Sequence, residues 1–423
     1  MEKRLYPLRF IPIASRRPWG GNALVTKLGK TFVECDEEGN ETVIGADEKV
    51  GESWEVADMG FEDSVVAEGW LAGNTISEVM ETYLERIVGE KVYNYYGRQF
   101  PLLVKFLDIS GKLSVQVHPD DEIAAERYDA LGKDEIWYVL EADENAKVYA
   151  GFNREMTAQE LYDRCHDGSV AETLNELHPR KGDVIYIKPG TVHAAEGKIL
   201  VAEIQESSDM TFRLYDWGRE FDPRTARPLH LEEAIDFIDY GPFDQNQFKK
   251  GPAWGAEESH EPCGNECQCG SHHHHHHDDV KVVEHLLEGH PFNLSKINLT
   301  DPLHIYTEKF ESFILYVCVE GAASIQVPSV KENGETCMEN YDFKKGETIL
   351  VPADMPDFFL VPRDRSTVLL EAVCCPEVDF DAYIDPDTEA FLEGEDYEGL
   401  EDGAFDDEEP SVPAGASPLN FFS

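Results

Sequence analysis

The sequence predicts a mainly β chain that contains two similar barrels with inserted helices and a disordered acidic C-terminal tail. Three observations predict it. Short apolar runs recur between Gly, Asp and Pro turns along most of the 423 residues, a spacing typical of jelly-roll or barrel domains. One turn-strand-turn phrase occurs at 182–193 and again at 346–357, which indicates an internal repeat. Residues 376–410 contain 16 acidic side chains and no Lys or Arg, so self-repulsion favours an extended tail.

The element pattern divides the chain into four segments. They are a first barrel with helical insertions (1–242), a His/Cys-rich linker (243–284), a second barrel (285–375) and the acidic tail (376–423). The linker mixes Gly, Pro, Asn and Gln without apolar periodicity. Its six histidines at 272–277 can bind Zn or Ni but have no fixed geometry. We therefore expect a passive or metal-buffering linker.

Charge and cysteine usage exclude several classes of partner. The formal net charge of −49 argues against binding to nucleic acid or to an anionic membrane surface. No apolar stretch approaches the roughly 18 residues that span a bilayer, and the N-terminus lacks the apolar core of a signal peptide. Nine dispersed cysteines argue against a disulfide framework. We expect a cytoplasmic protein, and the high charge favours a monomer.

Helices are predicted at 75–87, at 157–177 with a break at Asp167-Gly168, and at 229–238. Thr75 and Glu78 form a capping box before an apolar 3.6-residue period, and Thr157 and Glu160 repeat that signal. The remaining apolar runs predict strands at 137–142, 147–152, 183–190, 198–205, 212–217, 313–321, 323–328, 347–353 and 367–373.

One set of polar side chains is expected to converge in the first barrel. The two-residue period of a strand places Ser114, Gln116 and His118 on one face. Glu135 begins the next apolar strand, and His193 ends the phrase that starts at Gly182. Two imidazoles and a carboxylate suit Zn, Mn or Fe(II), and Gln116 can add a neutral oxygen ligand. The alternative is a set of hydrogen-bonded residues at strand edges.

The second repeat has lost these residues. Glu135-Ile-Trp-Tyr-Val aligns with Phe313-Ile-Leu-Tyr-Val, and the position of His193 is taken by Pro356. We therefore expect a degenerate second barrel without metal ligands, which favours a metal site over a merely structural cluster in the first.

Four phrases, SVQVHPDD, GKDEIWY, KPGTVHA and LVAEIQESSDMTFRLYDWGR, resemble the type I mannose-6-phosphate isomerases, zinc enzymes of the cupin superfamily. The resemblance runs from about Leu5 to Arg219 and more loosely to about residue 375. It implies that both barrels are cupin-type jelly rolls. The linker and the acidic tail depart from the family pattern.

The resemblance also implies an activity, the interconversion of mannose 6-phosphate and fructose 6-phosphate, with a sugar phosphate as the small-molecule partner. It implies one Zn²⁺ per chain, with metal ligands at His118, Glu135, His193 and, in part of the family, Gln116. The family's essential arginine falls on Arg213.

An enediol route between C1 and C2 needs a base, an electrophile and a cationic clamp for the phosphate. Lys133 and Arg213 are candidates to bind phosphate or to stabilise the enediolate, with ordinary surface charge as the alternative. Ser114 can donate a further hydrogen bond to substrate. For the base we expect Glu203, whose apolar strand should raise its pKa; Glu206 and a hydroxide on the metal are alternatives.

Two rival functions share this ligand set. Two histidines and one carboxylate also form the Fe(II) facial triad of cupin oxygenases and of iron-type sugar-phosphate isomerases. A non-catalytic cupin that binds metal or sugar phosphate is the second rival. The Gln116 position and the Lys133/Arg213 pair favour a phosphorylated substrate.

Overall fold

The computed structural model describes residues 3–35, 41–251, 282–289, 291–331 and 334–374. The predictions for the middle of the linker and for the acidic tail lie outside the described residues. Among the described residues, no helix has the length and apolarity needed to cross a membrane.

The helices are α1 (Ala23–Thr26), α2 (Ile76–Tyr83), α3 (Glu85–Val88), α4 (Glu90–Tyr96), α5 (Asp121–Tyr128), α6 (Ala158–Asp167) and α7 (Leu231–Ala234). The strands up to residue 251 are β1 (Ile13–Ser15), β2 (Val33–Cys35), β3 (Glu41–Val43), β4 (Glu52–Val56), β5 (Leu102–Ile109), β6 (Val115–Val117), β7 (Glu135–Ala142), β8 (Lys147–Phe152), β9 (Leu174–Leu177), β10 (Val184–Ile187), β11 (His193–Glu196), β12 (Ile199–Glu206), β13 (Phe212–Tyr215) and β14 (Phe248–Lys249). The later strands are β15 (Val283–Leu287), β16 (Phe292–Leu299), β17 (Leu303–Ile305), β18 (Ile314–Glu320), β19 (Ala322–Val330), β20 (Thr336–Lys344), β21 (Thr348–Val351), β22 (Phe358–Pro362) and β23 (Thr367–Cys374).

The sheets confirm the internal repeat. In the first half, a sheet of order β1-β4-β5-β12-β7-β10-β14 faces a sheet of order β13-β6-β11-β8-β9. In the second half, β16-β23-β18-β21 reproduces the order β5-β12-β7-β10, and β17-β22-β19-β20 reproduces β6-β11-β8-β9. The same topology twice, from strands predicted by the same phrases, identifies two copies of one jelly-roll unit. β14 pairs with β10, so the first sheet extends a few residues beyond the predicted boundary at 242.

The central strands of the seven-stranded sheet, β4, β5, β12 and β7, are buried on both faces. Trp137 and Val139 of β7 belong to the apolar cluster inside the first barrel. Their neighbours Ile136 and Tyr138 point the other way and join the cluster that contains the core of the second barrel. Burial on both faces explains why these strands read as nearly continuous apolar runs rather than as alternating ones.

The first predicted helix begins where expected and ends early. The Thr75 capping box is present, with Glu78 as its second member. The helix stops at Leu84, which adopts a φ of 52°, and a separate turn, α3, carries the buried Ile87 and Val88. The prediction of one continuous helix to Ile87 was therefore wrong, because the break reorients these two side chains into the core.

The prediction of the second helix is correct only for its first part. It begins at the Thr157 cap and ends at Gly168 in the left-handed conformation, as the Asp167-Gly168 break indicated. Extension to Leu174 and Leu177 was wrong, because this segment forms β9 and pairs with β8. The third helix is only α7 (Leu231–Ala234), shorter than the predicted 229–238.

Candidate metal centre and active site

Strand register brings the candidate side chains together inside the first barrel. His193 on β11 pairs with Gln116 on β6, and Gln116 pairs on its other side with Arg213 on β13. Glu135 opens β7 on the facing sheet, opposite Gln205 of β12. Residues separated by up to about 100 positions in the chain therefore face one interior.

The predicted division of the strand around Gln116 is confirmed. Ser114 and Gln116 line an internal cavity, and His118 lies beside Glu135 and His193. Val115 and Val117 point to the opposite side and join a separate apolar cluster. The two-residue period of an extended chain is sufficient to produce this separation.

His118, Glu135 and His193 place one ligand atom each within 4.8 Å of the others, and all three side chains are at most 1% exposed. Nε2 of His193 lies 3.2 Å from Glu135 Oε1, and Nε2 of His118 lies 3.6 Å from Oε2. The Nδ1 atoms are already engaged, since His118 Nδ1 lies 2.7 Å from the Met210 carbonyl and His193 Nδ1 lies 2.9 Å from the Thr191 carbonyl. A carbonyl oxygen only accepts, so each Nδ1 carries the proton and each Nε2 presents a lone pair.

These three groups fit a cation. Burial and the charge of Lys133 lower the pKa of His118 to about 3, so its ring is neutral. Neither oxygen of Glu135 forms a hydrogen bond of acceptable geometry within the described residues. Two imidazole lone pairs and a buried carboxylate therefore face one another, with no proton shared between a ring nitrogen and the carboxylate. A divalent metal ion satisfies such a set, and histidines that donate Nδ1–H to backbone carbonyls are the usual arrangement around one.

Gln116 borders the same point, because its side-chain amide nitrogen lies 3.2 Å from His193 Nε2. Ser114 Oγ donates to its Oε1 at 3.0 Å. A 180° rotation of the amide exchanges its oxygen and nitrogen and turns the oxygen towards the three ligands. The position of Gln116 is thus compatible with the predicted fourth ligand.

Lys133 lies directly beside the candidate metal centre. Its Nζ is 2.8 Å from Glu135 Oε2 and 3.3 Å from His118 Nε2. Burial lowers the pKa of Lys133, but the charges of Glu135 and Glu203 outweigh burial and raise it above its ordinary value. Lys133 is therefore a buried ammonium at the edge of the site rather than a surface charge.

Gln116 and Lys133, which border the candidate ligands, line a cavity of about 230 Å³ whose lining is mainly polar side chains. Glu203 lines it and is 3% exposed. Trp137 Nε1 donates to Glu203 Oε2 at 2.7 Å, and Lys105 Nζ lies 3.4 Å from Oε1. Burial, followed by the charge of Glu135, raises the pKa of Glu203. The alternative base, Glu206, accepts from the Asp134 backbone at 2.9 Å and does not line this cavity.

Arg213 also lines the cavity. Its Nη1 donates to the Pro228 carbonyl at 2.9 Å, while its Nε is buried without a hydrogen bond among the described residues. Burial, followed by the charge of Arg227, lowers the pKa of Arg213 to about 10, so the group remains a cation at neutral pH. A guanidinium with unused donors is suited to bind an anion.

Sequence reasoning missed several residues of this site. Lys105 on β5 lines the cavity, and its Nζ donates to Gln205 Oε1 at 3.0 Å. Arg17 donates to both oxygens of Glu52 at 2.8 and 3.1 Å, and both residues line the same cavity. The available signal was an isolated Lys or Glu within an apolar strand, as in LLVKFLDI, where burial of a charge requires a partner. Trp19 also lines the cavity.

Comparison with known proteins agrees with this geometry. Residues 8–171 match the sequence model described as "Phosphomannose isomerase type I, catalytic domain". A mannose-6-phosphate isomerase of Bacillus subtilis is 31% identical over 355 residues, which are 84% of this chain and 95% of the relative. A mannose-6-phosphate isomerase of Streptococcus mutans is 34% identical over 239 residues, 56% of this chain and 68% of the relative.

Solved structures show the same architecture. The crystal structure of a mannose 6-phosphate isomerase from Bacillus subtilis aligns with a TM-score of 0.64 and 26% identity, over 87% of this chain and 99% of that one. A putative mannosephosphate isomerase from Archaeoglobus fulgidus, at 19% identity and a TM-score of 0.62, shares the fold over 88% of this chain and 99% of that one. With the family match and a 31% identical relative covered over 95% of its length, the chain belongs to the type I mannose-6-phosphate isomerase family.

Proposed function

We propose that this chain interconverts mannose 6-phosphate and fructose 6-phosphate through an enediol, with one Zn²⁺ held by His118, Glu135, His193 and Gln116. The observation that carries the proposal is the set of buried lone pairs on His118, Glu135 and His193, which adjoins a cavity containing a buried carboxylate and a buried lysine. This set of two nitrogen and two oxygen ligands suits Zn²⁺, and the same set is also compatible with Mn²⁺ or Fe²⁺.

The chain's own residues can carry the proton transfers. Glu203 takes the proton from C2 of the open-chain aldose, and the C2–H electron pair forms the C1–C2 double bond while the carbonyl electron pair moves to O1. Transfer of the O2 proton to O1 and return of the proton from Glu203 to C1 complete the ketose. A carboxylate whose pKa is raised by burial is a better base than an exposed one near neutral pH.

Lys133 would donate to the sugar oxygens on which negative charge develops. Its ammonium is buried and protonated beside Glu135, and a preorganised donor in a dry site stabilises an enediolate more than water does. A divalent metal ion held by His118, Glu135 and His193 would supply Lewis-acid polarisation to this chemistry. Ser114, which lines the cavity, can orient Gln116 or donate to substrate.

The test is a coupled assay of mannose 6-phosphate conversion on metal-stripped protein, with Zn²⁺, Mn²⁺ or Fe²⁺ added back. We expect turnover to depend on added metal, and His193→Ala to lose both turnover and stoichiometric metal binding measured by calorimetry. The matched control is His178→Ala, because His178 is an exposed histidine that contacts only Glu176 among the described carboxylates. It should retain both.

The outcomes separate the rival functions. Metal binding without turnover for any metal would replace the isomerase with a non-catalytic cupin. Turnover restored by Fe²⁺ and not by Zn²⁺ would keep the reaction and change the metal.

We also propose that the protein acts as a cytoplasmic monomer with the four segments outlined by the sequence. The net charge of −49 opposes self-association. Cys165 and Cys318 are buried thiols outside any disulfide, which is typical of a reducing compartment. Sedimentation equilibrium and cell fractionation test the two statements separately.

A further inference from the structure

A cluster of arginines lies at one part of the catalytic cavity. Arg17, Arg213 and Arg227 line it, and Arg219 is close enough for its charge to act on Arg213. This concentration of positive charge contrasts with the net charge of −49 of the whole chain. Because like charges in a partly buried site repel one another, this cluster of arginines requires an explanation.

The arginines are unequally neutralised. Arg227 is held by Asp216, with Nε 3.0 Å from Oδ2 and Nη2 2.5 Å from Oδ1. Arg219 Nη2 shares the same Oδ1 at 2.5 Å, and Asp216 is fully buried. No described carboxylate lies within 4 Å of the Arg213 guanidinium. Arg219 and Arg227 thus share one carboxylate and Arg213 has none, which leaves a local excess of two positive charges.

A histidine joins the same group. His230 N–H donates to the Arg213 carbonyl at 2.7 Å, and Arg213 N–H donates to His230 Nδ1 at 3.2 Å. This pair of hydrogen bonds holds residue 230 beside residue 213. Because Nδ1 accepts, Nε2 carries the ring proton and is a donor, and His230 lines the cavity.

We propose that Arg227 and His230, together with Arg213, bind the phosphate group of the substrate, and that Asp216 is the residue that positions Arg227. The inference rests on the proposed function and locates the part of the substrate remote from C1 and C2. A phosphomonoester dianion supplies two negative charges and three acceptor oxygens, which match the local charge excess and the available N–H donors. Lys133, which is paired with Glu135, then does not bind the phosphate and is available to donate to the sugar oxygens at C1 and C2.

The direct test measures binding of glucitol 6-phosphate, a sugar-alcohol phosphate that cannot isomerise, to the full metal-loaded chain by calorimetry, beside the KM for mannose 6-phosphate. Arg227→Gln and His230→Asn each remove a donor, and the Asn oxygen can still accept from Arg213 N–H. We expect each variant to weaken analogue binding and raise KM by about 10- to 100-fold, the usual effect of a lost charge-assisted hydrogen bond. kcat should change much less.

The matched control is Arg224→Gln, because Arg224 is an exposed arginine three residues before Arg227 that pairs with Asp222 and does not line the cavity. Its analogue affinity and KM should stay within about twofold of wild type. Asp216→Asn should raise KM as Arg227→Gln does, and should add little when combined with it, since both act through one contact.

The inference is overturned if Arg227→Gln and His230→Asn leave analogue affinity and KM within twofold, or if Arg224→Gln weakens binding as much as Arg227→Gln. A wild type that binds the analogue in an Arg227-dependent manner without isomerising mannose 6-phosphate would reject the proposed function and keep the phosphate site.

Discussion

Glu203→Gln is the substitution that most directly tests the assigned base. Gln has the shape of Glu and retains an oxygen that can accept from Trp137 Nε1, now at 2.7 Å, but it cannot take a proton. Lys105 keeps a second carboxylate, Asp209, at 3.6 Å, so the substitution leaves no isolated buried charge. We therefore expect the fold and the metal content to be retained.

The expected loss of activity follows from the role of Glu203 as the general base. A positioned general base contributes about 10²- to 10⁴-fold in rate, equivalent to about 3–5 kcal/mol of transition-state stabilisation. The measurements are kcat for mannose 6-phosphate and the exchange of its C2 hydrogen in D₂O followed by proton NMR. Both should fall together, because both require removal of the same proton.

Glu206→Gln is the matched control, since it makes the same change three residues along β12 in a carboxyl group that does not line the cavity. Its kcat should stay within about threefold of wild type, well below the effect of losing a general base. The assignment would be refuted if Glu203→Gln kept kcat and C2 exchange within tenfold of wild type, or if Glu206→Gln lost as much.

Three further predictions concern stability. Burial and the charge of Asp121 raise the pKa of Glu206 to about 8, so the folded protein still binds a proton that the unfolded chain releases near pH 4.3. The free energy of unfolding is therefore highest below that pH and falls between about pH 4 and 8. Above this range it is lower by an amount on the order of several kcal/mol. Glu206→Gln should lack this fall, so the Tm difference between wild type and variant should grow from pH 5 to pH 8, and a constant difference would contradict the argument. Zn²⁺ at about 100 times its Kd should stabilise metal-free wild type by about 2.7 kcal/mol, seen as a higher Tm in scanning calorimetry; an equal rise in His193→Ala would place the bound metal elsewhere. Phe313 is fully buried, and its ring centroid lies 4.7 Å from that of Phe100. Phe313→Ala should therefore lower the free energy of unfolding by about 3–5 kcal/mol; a urea midpoint equal to that of wild type would show that this contact is dispensable.

Much of the β structure could be predicted because strand signals are local. An apolar run between two turns indicates a strand wherever it occurs, as for 147–152, which is β8 as predicted. The face that His118 shares with Gln116 follows from backbone geometry alone. The repeated phrase showed that two units exist, since one sequence pattern directs the same pairing twice.

The errors occurred where tertiary contacts override local preference. Leu174 and Leu177 have spacing compatible with a helix, but pairing with β8 makes the segment extended. The end of the helix at Leu84 depends on the packing of Ile87 into the hydrophobic core. In both cases, burial of apolar side chains against a distant strand outweighs helix propensity, which amounts to less than about 1 kcal/mol per residue.

By itself, the sequence determined which residue types could hold a cation and on which strand faces they lie. Only the tertiary structure decided which distant residues meet them: Lys105 beside Glu203, and Arg227 and His230 beside Arg213. The physical reason is that side-chain alternation is a property of a single strand, whereas the register between strands is set by how the whole sheet packs.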